Sequence, residues 1–184
     1  MDILFIGILG IAALVLVMGI SYYNGFVRLR NQSDEAFATM DVYLKKRYDL
    51  IPNLVEVVKQ YALHERETLE KVINARNMAM GAQTIDERAQ NENMLSGTLK
   101  SLFALSENYP NLKADTSFLN LQNQLSSLEN EISQSRKYYN GAVRALNTKI
   151  EMFPSNIVAQ ITGFKKYPFF MAEESERENV KVKF

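Results

Sequence analysis

Cysteine is absent from the chain, so disulfides, thiolate nucleophiles and thiolate metal sites are excluded. The absence says nothing about redox compartment and suits either side of a membrane. Proline and glycine are sparse, 4 and 8 in 184 residues, and the intervals between them are rich in Ala, Leu, Glu, Gln, Lys and Arg. These are good helix formers, which predicts a mostly helical protein. An excess of either charge is missing too, because 21 basic residues balance 21 acidic ones. With no net field, attraction to nucleic acid is not expected. The length allows one buried core and an anchor rather than two full-sized domains.

Histidine is nearly absent as well. His64 stands alone in the string His64-Glu65-Arg66-Glu67. An H-E-x-x-H zinc motif needs a second His where this chain has Thr68, and a di-iron bundle needs Glu-x-x-His twice. His64 is therefore expected to be a solvated side chain on a charged helix face, since a metal needs several converging ligands. No nucleophile elbow or glycine-rich phosphate loop accompanies it. The sequence assigns no catalytic, cofactor or metal residue. The rival possibility is a metal-dependent or hydrolytic enzyme using His64 and bundle carboxylates.

What the chain has in quantity is apolar sequence near its start. From Ile3 to Ile20 every residue is apolar or glycine. Such a stretch, as a helix, rises about 27 Å, close to the hydrocarbon thickness of a bilayer. Asp2 stands where a signal peptide carries basic residues, and no A-x-A-like site follows. Residues 1–21 are therefore expected to be a retained transmembrane anchor; a secreted bundle released by signal cleavage is the competing expectation. Tyr22 and Tyr23 suit the headgroup layer, and Arg28 and Arg30 come next. By the positive-inside rule this predicts a single-pass protein of the bacterial cell membrane, with its N-terminus outside and its bundle cytoplasmic.

Residues 22–154 are expected to form that bundle. The first helix leaves the membrane with Val27, Phe37, Met40 and Leu44 as its apolar stripe. Asp49, Leu50, Ile51 and Pro52 predict a reversal, because Pro52 restricts the residue before it and suits the first turn of a new helix. A second helix carries Leu54, Val55, Val58, Ala62, Leu69, Val72 and Ile73 and ends near Gly81. Thr84 and Glu87 have capping-box spacing ahead of a third helix with Leu95, Leu99, Leu102 and Leu105 on its core side. Asp115 caps a fourth, in which Phe118, Leu121, Leu125, Leu128, Ile132, Ser135, Tyr139, Ala142 and Leu146 alternate steps of four and three. Short connections imply antiparallel neighbours. The predicted fold is all-α, an N-terminal transmembrane helix continuing into an antiparallel up-and-down four-helix bundle. Residues 155–184 follow as a short turn capped by Ser155, an aromatic and basic tail, and a polar end from Ala172 to Phe184 expected to be mobile.

Several polar residues invite a functional role. At the expected turn, Asp49 can cap, Pro52 can open a helix, Asn53 can satisfy first-turn amides, and Arg47 can pair with Asp49 or reach open carbonyls. Structure explains these more cheaply than a binding site does. The segment YYNGFVRLRN at Tyr22–Asn31 recurs as YYNGAVRALN at Tyr138–Asn147, agreeing at seven of ten positions. If both copies stand at similar heights, Tyr23, Asn24, Tyr139 and Asn140 gather near the membrane-proximal end, as core layers or as a ligand site. The tail residues Lys165, Lys166, Tyr167, Phe169 and Phe170 are expected on the membrane surface or against the bundle's base. Arg76, Arg136 and Arg144 are expected as solvated partners of nearby Glu70 and Glu131, and Met78 and Met80 as ordinary packing at a helix end.

Longer strings also carry a likeness. YNGFV after the anchor, KKRYDLIPNLVEVVKQYALHE, INARN, the run from YPNLKADTSF to FPSNIVA, and GFKKYPFF stand in an order that resembles the LemA family over nearly the whole chain. The resemblance implies an anchored up-and-down helical bundle with a short N-terminus outside, no reaction and no cofactor. Members in magnetosome membranes and beside membrane proteases imply organising or partner-binding work. The expected function is that of a membrane scaffold or adaptor. Its partners would be the lipid bilayer, unidentified membrane-associated proteins and, as a homo-oligomer, copies of itself.

Overall fold

A computed structural model describes residues 2–171, with side chains from Leu4 onward. These residues form six helices and no strand: α1 (Asp2–Tyr61), α2 (Arg66–Gly81), α3 (Ile85–Ser106), the short α4 (Pro110–Lys113), α5 (Thr116–Glu151) and α6 (Ser155–Thr162). The polar end from Ala172 lies outside the described residues.

α1 positions everything else. It is one helix of 60 residues, about 90 Å long at the usual rise. Its first part, from Leu4, is long and apolar enough to cross a membrane, and Leu4 to Met18 are all exposed. Farther along, Phe26 is buried, and from Ser33 onward Ala36, Met40, Leu44, Arg47, Ile51, Leu54 and Val58 follow in steps of three and four. That stripe is the face that packs on neighbouring helices.

The reversal expected at Asp49–Pro52 does not occur. Helix continues through Pro52, which lies on the exposed face, and the chain turns only at residues 62–65. A proline has no N–H for the carbonyl four residues back, here that of Tyr48. Arg76 of α2 supplies the missing donor, its Nε lying 2.7 Å from Tyr48 O. The helix survives because a neighbouring helix satisfies the acceptor that proline orphans. Asp49 and Asn53 are consequently exposed mid-helix residues, not caps. His64 falls in the exposed turn rather than on a helix face.

α1 pairs along α5, and α2 pairs with α3. The register of the first pair is antiparallel. Lys149 sits over the Tyr22 ring at 5.9 Å and the Phe26 ring at 5.8 Å, while Phe37 meets Tyr139 edge-on at 5.6 Å. α3 joins the pair from the level of Phe37 and Asp41 onward, where Arg88 pairs with Asp41 and lies over the Phe37 ring. Below that level, toward the apolar end of α1, α6 and the residues after it take the place that α2 and α3 fill above.

Local caps follow the sequence closely. Glu87 N–H donates to Thr84 Oγ1 at 3.1 Å, and the Glu87 carboxylate reaches back to Gln83 N–H at 3.0 Å, a capping box with its second arm shifted by one residue. Phe118 N–H donates to Asp115 Oδ1 at 2.9 Å at the start of α5. Ser155 differs from expectation. Its hydroxyl donates to Lys149 O and Met152 O, closing the end of α5 instead of capping α6. α6 ends at Gly163, which takes φ 75°, so the chain leaves the helix in the left-handed conformation and Phe164 N–H returns to Ala159 O at 3.0 Å.

Candidate functional site

Two polar constructions stand out on this frame. The first is centred on Arg47, which occupies a core position of the α1 stripe and is fully buried. Its Nη2 pairs with Glu92 of α3 and its Nη1 with Glu129 of α5, the latter at 2.5 Å, and Nη1 also lies 3.0 Å from Ser96 Oγ. Tyr48 OH donates to the other oxygen of Glu92, and Ser96 Oγ donates to Glu129 Oε1 at 3.2 Å. Glu92 is fully buried and Glu129 forms the half-exposed rim. Burial pushes the Glu92 carboxyl above its ordinary value, outweighing the downward pull of Arg47. A guanidinium forks naturally between two carboxylates. The cluster therefore ties α1, α3 and α5 together and spends its charges on one another.

The expected partner of Arg47 was Asp49, which points to solvent instead. Glu92, Ser96 and Glu129 went unrecognised, although a signal existed. Glu92, Leu95, Leu99 and Leu102 share one helical stripe, as do Met40, Leu44, Arg47 and Ile51. One acid and one base, each at a core position, are the mark of a buried pair.

The second construction is a strap. Residues 164–171 leave α6 and run along α5, away from the apolar end of α1. Asn147 makes a two-point clamp on Tyr167, donating to its carbonyl at 2.9 Å and accepting from its N–H at 2.9 Å. Asn140 makes the same clamp on Phe170, at 2.9 and 2.8 Å. Between them Tyr139 OH donates to Pro168 O at 2.9 Å. The spacing has a simple origin: seven residues of helix rise about 10.5 Å, and three residues of extended chain reach about 10 Å. Successive clamps therefore meet the strap in register. Burial pushes the Tyr139 hydroxyl up to about 12, so it stays a proton donor at any physiological pH.

Aromatic contacts complete the strap. Phe164 stacks on Phe26 at 5.0 Å and meets Tyr23 edge-on at 5.9 Å, with Arg30 over its ring at 5.7 Å. Phe170 is fully buried with the Arg136 guanidinium 5.1 Å above its ring. Tyr167 is raised above its ordinary value by burial and then by its hydrogen bond to Asp34. Tyr167 and Phe170 thus take the second placement expected for the tail, against the helices. Lys165 and Phe169 face outward, and Lys166 pairs with Glu151. Arg76 and Arg136 are not solvated pairs: one serves the Tyr48 carbonyl and the other covers Phe170.

The two copies of the internal echo do not stand at one height. Tyr139 faces Phe37, fourteen residues beyond Tyr23 and about 21 Å farther along α1. Placing the turn at residues 62–65 rather than at Asp49 produces this offset. The copies also do different work. Asn140 and Asn147 hold the strap, whereas the matching Asn24 and Asn31 are exposed; Tyr139 is buried, whereas Tyr23 is exposed. Tyr23, Asn24, Tyr139 and Asn140 are not brought together into one pocket.

The fold defines an all-helical protein whose first helix carries a long exposed apolar stretch into the helical domain. The sequence profile of the LemA family matches residues 36–184, and the chain belongs to that family. It is 28% identical over 176 residues to Protein LemA of Metamycoplasma hominis, covering 90% of this chain and 79% of that one. It is 22% identical over 191 residues to Magnetosome protein MamQ 2 of Paramagnetospirillum magneticum, covering 90% and 70%. Magnetosome protein MamQ of Magnetospirillum gryphiswaldense is 21% identical over the same shares.

Proposed function

We propose that this LemA-family protein is a single-pass membrane scaffold, whose helical domain is held on one rod beside the lipid and recognises other proteins. The single observation that carries this is α1: its exposed apolar stretch passes without a break into the buried stripe of the domain. We take its distal half to be an up-and-down four-helix bundle built from α1, α2, α3 and α5. Kinship with proteins named for the magnetosome suits an organising role. Basic residues Arg28 and Arg30 beyond the apolar stretch favour a cytoplasmic domain. The Arg47 cluster favours a structural over a catalytic role, because its guanidinium and Glu92 are closed to any substrate. The metal-enzyme alternative would rest on His64, yet among the described residues no three His, Asp or Glu side chains gather as a metal site would need.

The surface offered to partners includes half-exposed methionines. Met78, Met80 and Met94 are each 49% exposed, and such flexible thioethers suit adaptable protein recognition. A photoreactive residue at position 78 in intact cells is expected to capture discrete cytoplasmic or membrane proteins, while one at Glu131, on the exposed face of α5, captures none. Capture of nothing at position 78 would remove the adaptor role, and partners from outside the cell would reverse the orientation.

A further inference from the structure

The apolar side chains around α6 have no cover within the described fold. Phe153 is 80% exposed and Ile161 79%, and Met152 and Ile157 stand beside them at 57% and 50%. The inner face of α6 is well used, since Ser155 and Ala159 are buried and Ala159 packs with Phe26 and Leu146. Its outer face, Ile157 and Ile161 at helical spacing, is the unpartnered one. A contiguous apolar surface of this kind marks a binding face.

The neighbour of α6 decides what covers it. Val158, Ile161 and Thr162 line a crevice of about 320 Å³ together with Leu16, Gly19, Ile20 and Tyr23 of α1. Ile161 therefore stands at the level of the last turns of the apolar stretch of α1. Leu16 lies six residues before Tyr22, about 9 Å along the helix. Interfacial helices sink about 5–10 Å below the headgroup boundary, so the depths agree. α6 itself, SNIVAQIT, carries no charge to desolvate. Shortly after it comes Lys165, exposed, whose long stem can carry its ammonium group back to anionic headgroups.

We propose that α6 and the preceding Met152 and Phe153 form a wedge seated in the lipid interface beside the anchor, with Phe153, Ile157 and Ile161 in contact with acyl chains. A lone spanning helix leaves the domain free to swivel and tilt. A second lipid contact on the α5–α6 side fixes which face of the domain looks along the membrane. This rests on α1 spanning a bilayer, and the test separates the two claims.

The chain has no tryptophan, so single reporters are clean. Ile161→Trp, Val15→Trp and Met78→Trp are placed in the full-length protein in phosphatidylcholine–phosphatidylglycerol vesicles, with and without brominated acyl chains. Brominated lipid should remove more than half of the emission at positions 15 and 161 and leave position 78 unchanged. Quenching at 15 but not at 161 overturns the wedge and leaves the anchor standing. Quenching at neither overturns both. Blue-shifted but unquenched emission at 161 means that protein, such as a second copy, covers α6, and this also overturns the wedge. Should Ile161→Trp fail to fold by circular dichroism, the conservative Phe153→Trp gives the same readout.

Discussion

Replacing Arg47 with methionine is expected to destabilise the full-length protein in detergent by about 3–5 kcal/mol, read from urea unfolding. The cause is specific. Methionine fills most of the volume but strips the buried Glu92 carboxylate of its fork partner, leaving it the Tyr48 hydroxyl and the weaker pull of the Arg136 charge. The loss should depend on pH with a definite sign. Burial already holds the Glu92 carboxyl above its ordinary value, and loss of Arg47 raises it further. A raised value in the folded state means that the native protein binds the proton more tightly than the unfolded chain. The penalty is therefore full above the folded value and shrinks as pH falls through it, so the variant is closer to wild type near about pH 5 than near about pH 8. Arg47→Lys should recover only part of the stability, because a single ammonium nitrogen cannot reproduce the planar fork by which Nη1 and Nη2 each meet a different carboxylate. Adding Glu92→Leu to Arg47→Met should recover more than half of the loss. A pH-independent loss, or no recovery in the double variant, would show that Arg47 acts by bulk alone.

The second large effect is at the strap. Asn140→Ala with Asn147→Ala removes four hydrogen bonds to the backbone of Tyr167 and Phe170. At about 0.5–1.5 kcal/mol each, the strap should loosen by about 2–6 kcal/mol. The amides of Tyr167 and Phe170 then exchange with deuterium at least about thirtyfold faster, each 1.4 kcal/mol being tenfold. Amides at the start of α5, around Leu121, should be unaffected. Asn24→Ala with Asn31→Ala has the same spacing on the other copy of the echo and provides the control, since both residues are exposed and neither holds the strap by a hydrogen bond. Unchanged exchange at Tyr167 and Phe170 in the α5 variant would mean that aromatic packing alone holds the segment.

Those two sites also show what the sequence could and could not reveal. Thr84 and Asp115 act on amides within three residues, and both caps were legible. The α5 stripe from Phe118 to Leu146 was legible for the same reason, a period carried by one segment. Pro52 misled because its local chemistry favours a helix start, while the group that lets the helix continue, Arg76, comes from another element. The period of Met40, Leu44, Arg47, Ile51, Leu54 and Val58 crosses Pro52 unbroken and was the better guide. It would also have placed Arg47 in the core. Asn140 and Asn147 showed their spacing openly, but their partner is an extended segment with no period of its own. The misplaced turn then put the two halves of the echo at one height, which the true length of α1 separates.

The central claim is that α1 is one rod from the apolar stretch to the far end of the domain. Two spin labels test it directly, at Val42→Cys and Lys59→Cys, both exposed and with no native cysteine to interfere. A continuous helix places these positions about 26 Å apart, at 1.5 Å per residue. A chain that reversed at Asp49–Pro52 would bring them face to face across two packed helices, with axes about 10 Å apart. A single narrow distance near the longer value in membrane-reconstituted protein is the expected result, and a dominant short distance would contradict the account.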